Sequence, residues 1–233
     1  MDIKNLPLIL ASASPRRKEI LEAHGHFIKV IPADVDESLP EGNDFTPDET
    51  VIYLAEKKAT AVFETLNYMD WPKGCAIIGV DTIVFKDRII GKPKDETEAL
   101  EILRSLKNAT HKVISGVCLV HAAVLHVTGA TAGPPHSRLA MVQKEVFSDT
   151  TTVRFGDYSD EEILEYVRAN PPYDKSGSYA IQSEWGRHVL EMQGDLENVI
   201  GLPYIQLSKY LPNPSKEQVM SDLKNLARKP VIK

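Results

Sequence analysis

The stretch Leu8-Ile9-Leu10-Ala11-Ser12-Ala13-Ser14-Pro15-Arg16-Arg17 decides how the chain is read. An apolar run of strand type breaks into small residues, a proline opens a helix, and two arginines sit in its first turn. Ser14 suits the N-cap, and Pro15 suits the first helical position, where a missing N–H costs nothing. A strand over 6–13 feeding a helix over 15–24, with Ile20 and Leu21 inward, is the opening unit of an α/β chain. Cations ordinarily sit at helix C-termini, because the N-terminus already carries partial positive charge. Arg16 and Arg17 stand at the opposite end, beside the Ser12 and Ser14 hydroxyls. Two readings follow: a site for phosphate or carboxylate, or two solvated surface arginines.

Outward from this stretch, size and composition bound the choices. A chain of 233 residues makes one large α/β domain or two small lobes. With 42% hydrophobic and 26% charged residues it can bury a sizeable core. Lys+Arg of 27 against Asp+Glu of 33 gives −6, which argues against a nucleic-acid polymer as partner. Any anion site must then work by local geometry against the net field. The two cysteines, Cys75 and Cys118, lack metal-ligand spacing and read as reduced, buried thiols. No signal peptide opens the chain and no apolar run reaches membrane length, so the expectation is a cytoplasmic protein without a membrane partner.

Phe27–Ile31 reads as a second strand, followed by a polar stretch, 32–44, that carries Asp34, Asp36, Glu37 and Glu41 and has the composition of a solvated loop. Thr46-Pro47-Asp48-Glu49 is a capping box that starts the next helix. Its apolar stripe is Val51, Leu54, Ala55, Ala59, Val62 and Leu66, and Lys58 falls within that stripe. A lysine there either lets its stem snorkel at the edge of the core or reaches a ligand. Residues 76–85 form the most strand-like run and turn back through 89–93 as a hairpin. Asp81 sits in the middle of this run, either bonded to backbone amides at a bulge or working in a site.

A helix over 95–106, capped by Asp95, follows. Strands near 111–120 and 123–129 read as a hairpin, and Thr128 to Arg138 as an insertion rich in Gly, Pro, Ala and His. A strand over 141–155 leads to a helix capped by Ser159 and stopped at Asn170-Pro171. The dense loop 172–182, a strand over 188–192, and a last domain helix ending near Leu211 complete a domain over 1–211. Residues 212–233 read as a tail with a short amphipathic helix over 215–228.

Singly these signals are weak. Together they make a cationic set (Arg16, Arg17, Lys58, Lys92, with Lys175 as a further candidate) and an acidic set (Glu37 and Asp81, with Asp174). Glycines 79, 91, 177 and 201 would let backbone approach a ligand. Cations for a polyphosphate plus carboxylates for a divalent ion and an activated water are what nucleotide hydrolysis requires. The P-loop, the dinucleotide-binding fingerprint, the zinc histidine pair and the Gly-x-Ser-x-Gly elbow are all missing from the sequence.

The chain resembles the Maf proteins, nucleoside triphosphate pyrophosphatases. The matching stretches are 8–17, Asp-Val-Asp-Glu at 34–37, Leu-Ala-Glu-Lys-Lys-Ala at 54–59 and Ile-Ile-Gly-Val-Asp-Thr-Ile-Val at 77–84. Gly-Lys-Pro at 91–93, Asp-Lys-Ser-Gly-Ser-Tyr-Ala-Ile-Gln at 174–182, Gly194-Asp195 and Val199 to Pro203 continue the match in order. The resemblance implies an α/β fold with an elongated, curved, mixed sheet, flanking helices and two lobes around a cleft, as in inosine-triphosphate pyrophosphatases. It implies cleavage of a nucleoside triphosphate to the monophosphate and pyrophosphate, a house-cleaning role, with Mg²⁺ or Mn²⁺ as cofactor and a homodimer as assembly. Carried over by position, Asp81 matches the general base. Ser12, Arg16, Arg17, Lys58 and Lys92 match phosphate-contacting positions, and Glu37 with Asp81 matches the pair that holds the metal. Arg16, Thr82 and Gln182 match the branch that prefers dTTP, UTP and modified pyrimidine analogues. The other branch, which prefers 7-methyl-GTP, has Trp, Gln and Glu there. A glutamine amide both donates to and accepts from a uracil or thymine edge, whereas a carboxylate only accepts. The rival from another class is a non-catalytic nucleotide-sensing regulator of growth or division, against which the carboxylates argue, since they repel phosphate unless a metal intervenes.

Overall fold

The structure, a computed structural model, describes residues 6–42, 44–127 and 136–211. Its elements in order are β1 (Leu8–Leu10), α1 (Pro15–Ala23), β2 (Ile28–Val30), α2 (Pro47–Thr65), β3 (Cys75–Lys86), β4 (Arg88–Ile90) and α3 (Glu96–Leu106). They continue with β5 (Thr110–Val127), β6 (His136–Phe155), α4 (Asp160–Ala169), β7 (Val189–Gln193), α5 (Leu196–Ile200) and α6 (Tyr204–Leu207). One seven-stranded sheet runs β2-β1-β3-β5-β6-β7, with β4 paired to the end of β3. The strands β2, β1 and β3 are parallel, and β5, β6 and β7 are added antiparallel, so the sheet is mixed as expected.

β3 is buried on both faces along most of its length, which accounts for its near-continuous apolar run. One face is covered by α2. The capping box forms as predicted: Glu49 N–H donates to Thr46 Oγ1 and Thr46 N–H donates to Glu49 Oε2. The buried side of α2 is Thr50, Val51, Leu54, Ala55, Lys58, Ala59 and Val62, which matches the stripe and its lysine up to Val62, while Leu66 falls at the C-cap and is half-buried. Two glycines let this helix lie directly on the strands. A Cβ at Gly79 would stand 2.2 Å from the Ala55 carbonyl oxygen, and one at Gly116 would stand 2.3 Å from the carbonyl carbon of Val51. Gly79 therefore serves helix packing, not the approach of a ligand to backbone, as the sequence had suggested. Gly177 likewise answers to the fold: its φ is +76°, and a Cβ there would meet the Val84 side chain of β3 at 2.7 Å.

Three expectations are corrected. The predicted hairpin over 111–129 is one continuous strand, β5, with a register irregularity between His121 and Ala122. His121-Ala122-Ala123 contains no residue suited to the positive φ of a tight turn, so β5 runs straight through, and the extra residue at the irregularity is Val142 of β6, between the partners of His121 and Ala122. β6 accordingly starts at His136, taking in the end of the predicted insertion; residues 128–135 and the tail 212–233 lie outside the described residues. The last domain helix, expected to end near Leu211, is the short α6 (Tyr204–Leu207), and a short helix that the sequence reading did not place, α5, precedes it and stops at Gly201, whose φ is +128°.

The buried apolar residues divide along β3. Val84 joins Leu103, Phe155, Ile163 and Trp185 under α3 and α4. Val80 and Ile78 join Leu10, Leu21 and Leu202. Asp81 and Thr82 fall on β3 between Val80 of the one group and Val84 of the other.

Candidate active site

A cavity of about 340 Å³ opens at that junction, within the range of small-molecule sites. All the charged and polar residues matched to the site line it: Ser12, Arg16, Arg17, Glu37, Lys58, Asp81, Thr82, Lys92 and Gln182, with Asp174 and Lys175; of the four glycines only Gly201 does. Five of these are cations and three are carboxylates, an excess of two positive charges in a chain of net charge −6. Local geometry thus opposes the overall field, as an anion site here requires.

The centre of the site is Lys58. Because Gly79 lets α2 settle onto β3, the lysine meets Asp81, two residues further along the strand. Lys58 Nζ lies 2.6 Å from Asp81 Oδ1 and 2.7 Å from Glu37 Oε1. The side chains of Lys58 and Asp81 are 10% and 11% exposed, whereas Glu37 is 48% exposed. Lys58 is therefore a fully paired ammonium, neither a snorkelling stem nor an unpaired charge. Burial pushes the Glu37 carboxyl up, but the Lys58 hydrogen bond and charge, with Lys92 and Arg17, hold it below its ordinary value. Lys92 stands 3.8 Å from the other Glu37 oxygen. Asp81 is not bonded at a bulge: it sits in regular register opposite Gly116.

The arginines differ. Arg16 reaches across the mouth to Asp174, 2.9 Å away, and stays partly exposed. Burial pushes the Asp174 carboxyl up, but hydrogen bonds from Lys175 and Arg16 lower it below its ordinary value. Arg17 turns inward. Its Nε donates to the Gly201 carbonyl at 2.8 Å, and its Nη1 donates to Ser12 Oγ at 2.8 Å and to the Val80 carbonyl at 3.0 Å. Its Nη2 donates to Thr82 Oγ1 at 3.1 Å. Four of its five N–H groups are thus committed to protein. Burial lowers the Arg17 pKa, and Asp81 opposes that.

Ser12 accepts from Arg17 and from the Ser14 N–H at 3.3 Å, so its hydroxyl belongs to the floor of the cavity. Ser14 occupies the N-cap of α1 without a side-chain cap bond. Thr82 Oγ1 faces Arg17 and lies 2.9 Å from Ser115 Oγ. Gln182 also lines the cavity and is exposed. Residues that the sequence reading missed are Ser115 and Asn198, both fully buried behind Thr82, and Ser176, which donates to the Thr82 carbonyl. Ser115 bore a legible signal, a hydroxyl inside the apolar run 113–120, like Asp81 in its own.

The Glu37 and Asp81 oxygens converge on one ammonium, which marks a point where a positive charge is held by hard donors. Among the described residues no third His, Cys, Asp or Glu joins them as a metal cluster. Two carboxylates alone are a donor set that would fit a hard divalent cation only in part.

Comparison with known proteins extends this picture. A family model described as "Maf-like protein" matches residues 7–213. A protein of Exiguobacterium sibiricum named dTTP/UTP pyrophosphatase is 39% identical over 206 residues, 88% of this chain and 91% of that one. Proteins of the same name from Desulfitobacterium hafniense and Caldicellulosiruptor bescii are 40% and 37% identical, covering 84% and 86% of this chain and 80% and 91% of theirs.

Proposed function

The chain belongs to the Maf family, and from that premise we propose that it hydrolyses nucleoside triphosphates, dTTP and UTP first among them, to the monophosphate and pyrophosphate. The observation that carries this reading is the Glu37–Lys58–Asp81 cluster, set in one cavity with Arg16, Arg17 and Lys92.

Asp81 is the general base. Lys58 engages its Oδ1, and the described residues place no hydrogen-bond donor on its Oδ2, which is left to a water. Asp81 takes a proton from that water as the water oxygen bonds to the α-phosphorus. The bond from the α-phosphorus to the bridging oxygen breaks, and pyrophosphate leaves with the electron pair. Lys58, Lys92 and Arg16 neutralise charge on the triphosphate, and Arg17 adds a fixed positive charge beneath it. Ser12 and Arg17 shape the phosphate floor. The family activity suggests a divalent metal, and Glu37 and Asp81 would hold it; when bound, Mg²⁺ or Mn²⁺ supplies a lowered water pKa and charge neutralisation.

Arg16, Thr82 and Gln182 line the same cavity, which supports assignment to the pyrimidine-preferring branch and extends the substrates to modified pyrimidine analogues. Gln182 reads the base edge, while Thr82 acts from behind Arg17. The reading includes a homodimer: β6 between His136 and Thr151 pairs with β5 alone among the described residues, with Met141, Val142 and Val146 exposed along it. Both cysteines are buried and free, which supports a reducing, cytoplasmic setting.

A pyrophosphate-release screen across nucleoside triphosphates, with Mg²⁺, Mn²⁺ and no metal, tests the proposal. dTTP and UTP should lead, and Gln182→Glu should sharply weaken both. No release from any nucleotide would favour the nucleotide-sensing regulator. Leading turnover of 7-methyl-GTP would move the chain to the other branch.

A further inference from the structure

Arg17 grips the chain on both sides of Asp81: its Nη1 donates to the Val80 carbonyl and its Nη2 donates to the Thr82 hydroxyl. The Thr82 hydroxyl does not stand alone. It lies 2.9 Å from Ser115 Oγ, directly across the β3–β5 ladder, where Thr82 and Ser115 are register partners. Ser115 Oγ in turn lies 3.5 Å from the Asn198 carbonyl, and Thr82 Oγ1 lies 3.3 Å from the Gly201 carbonyl. Thr82 accepts from Arg17 and keeps one proton to donate. Whichever way the two hydroxyl protons point, the chain of bonds ends on a carbonyl of the 198–201 segment, which also accepts from Arg17 Nε. That segment is itself anchored: Asn198 Nδ2 lies 3.1 Å from the Val113 carbonyl and 3.1 Å from Thr151 Oγ1. Asn198 and Ser115 are both 0% exposed and neither lines the cavity.

We propose that Ser115 is a positioning residue for the hydrolysis: through Thr82 it fixes the Arg17 guanidinium, and Arg17 fixes the backbone on either side of the base Asp81. The inference rests on the pyrophosphatase reading above. It assigns Thr82 a task distinct from contact with the base, since its one hydroxyl is already shared between Arg17 and Ser115. A buried hydroxyl in this place cannot touch substrate. Its loss would be felt in the alignment of Asp81 with water, which exists to be exploited only in the transition state, and not in the affinity for the nucleotide.

The test compares Ser115→Ala, Ser115→Thr, Thr82→Val and the double variant Ser115→Ala/Thr82→Val with the unaltered protein. Steady-state pyrophosphate release from dTTP and thermal unfolding are read for each. Ser115→Ala should lower kcat about tenfold, the scale of one lost hydrogen bond, with KM unchanged. Ser115→Thr, which keeps the hydroxyl, should restore most of that loss. Thr82→Val should lower kcat likewise, and the double variant should be no worse than the worse single one, because all three cut one chain of bonds. Full kcat in folded Ser115→Ala, a rise in KM with kcat kept, or losses that multiply in the double variant would each overturn the proposal. Should Ser115→Ala fail to fold, Thr82→Val alone carries the same expectation, and unchanged kcat in it refutes the chain. An unaltered protein that releases no pyrophosphate from any nucleotide would instead refute the function itself.

Discussion

Replacing Asp81 by asparagine separates chemistry from stability more sharply than any other single change. The two side chains have the same shape, so the buried position on β3 keeps its packing. Lys58 loses one charged partner at 2.6 Å but keeps Glu37 at 2.7 Å, and an asparagine carbonyl oxygen still accepts from the ammonium. No buried charge is stranded, so the expected destabilisation is about 1 kcal/mol, that of one weakened hydrogen bond. Loss of a general base lowers turnover about 10²–10⁴-fold, or about 3–5 kcal/mol of barrier. The two effects should therefore differ by a factor of three or more in free energy. Pyrophosphate release from dTTP and UTP, measured beside urea unfolding of the same preparations, reads both. Turnover within about tenfold of the unaltered protein would refute Asp81 as base, and a loss of stability equal to the loss in barrier would recast it as a structural residue. Lys58→Met should lower stability as well as activity. It removes the only ammonium paired with Asp81 among the described residues and leaves an 11% exposed carboxylate unpaired. Breaking a buried pair in this way costs about 3–5 kcal/mol of stability, so urea unfolding should register it strongly; an unchanged midpoint would mean that water already compensates Asp81.

Two further outcomes follow from the fold. Gly79→Ala should destabilise by about 3 kcal/mol, the upper end for overpacking, because its Cβ would press on the α2 backbone at 2.2 Å; activity should fall with it, since the helix carries Lys58, and a well-folded, fully active variant would refute the packing role of that glycine. Stability should also decline in acid. Burial, with Lys86 nearby, pushes His111 from 6.5 down to about 4, and the imidazole shares a 2.8 Å hydrogen bond with the Tyr179 hydroxyl. The unfolded state then takes up a proton before the folded one does. The contribution of His111 is present in full above pH 6.5 and is lost as pH falls to about 4, a total of about 3 kcal/mol. His26, His121 and His188 are lowered by burial in the same direction. Urea midpoints measured from pH 7.5 to 4.5 test this, and a flat profile would contradict it.

Much of the local architecture was legible in the residues themselves. The Thr46 and Ser159 capping boxes, the proline at the start of α1, the stripe on α2 and the apolar run of β3 each depend on neighbours within a few positions, and each forms where the residue types require. The site residues were legible as misfits: Lys58 in an apolar stripe, Asp81 in an apolar strand, arginines at the wrong helix end. The order of motifs along the chain determined the family and, with it, the class of reaction.

What the local pattern did not determine turns on contacts between residues far apart in the chain. Whether Lys58 snorkels or is paired depends on how near α2 lies to β3, and that distance depends on a missing Cβ at Gly79. The continuity of β5 depends on a partner, β6, that absorbs a bulge where periodicity suggested a turn. The two arginines look equivalent in sequence, yet one faces Asp174 across the cleft mouth and the other is held by Ser12, Val80, Thr82 and Gly201. Sequence by itself determined which charges this protein has and which elements carry them. Only the tertiary structure decided which of those charges are free to meet a nucleotide, because a hydrogen bond uses up a donor and its acceptors here lie as many as 184 positions away.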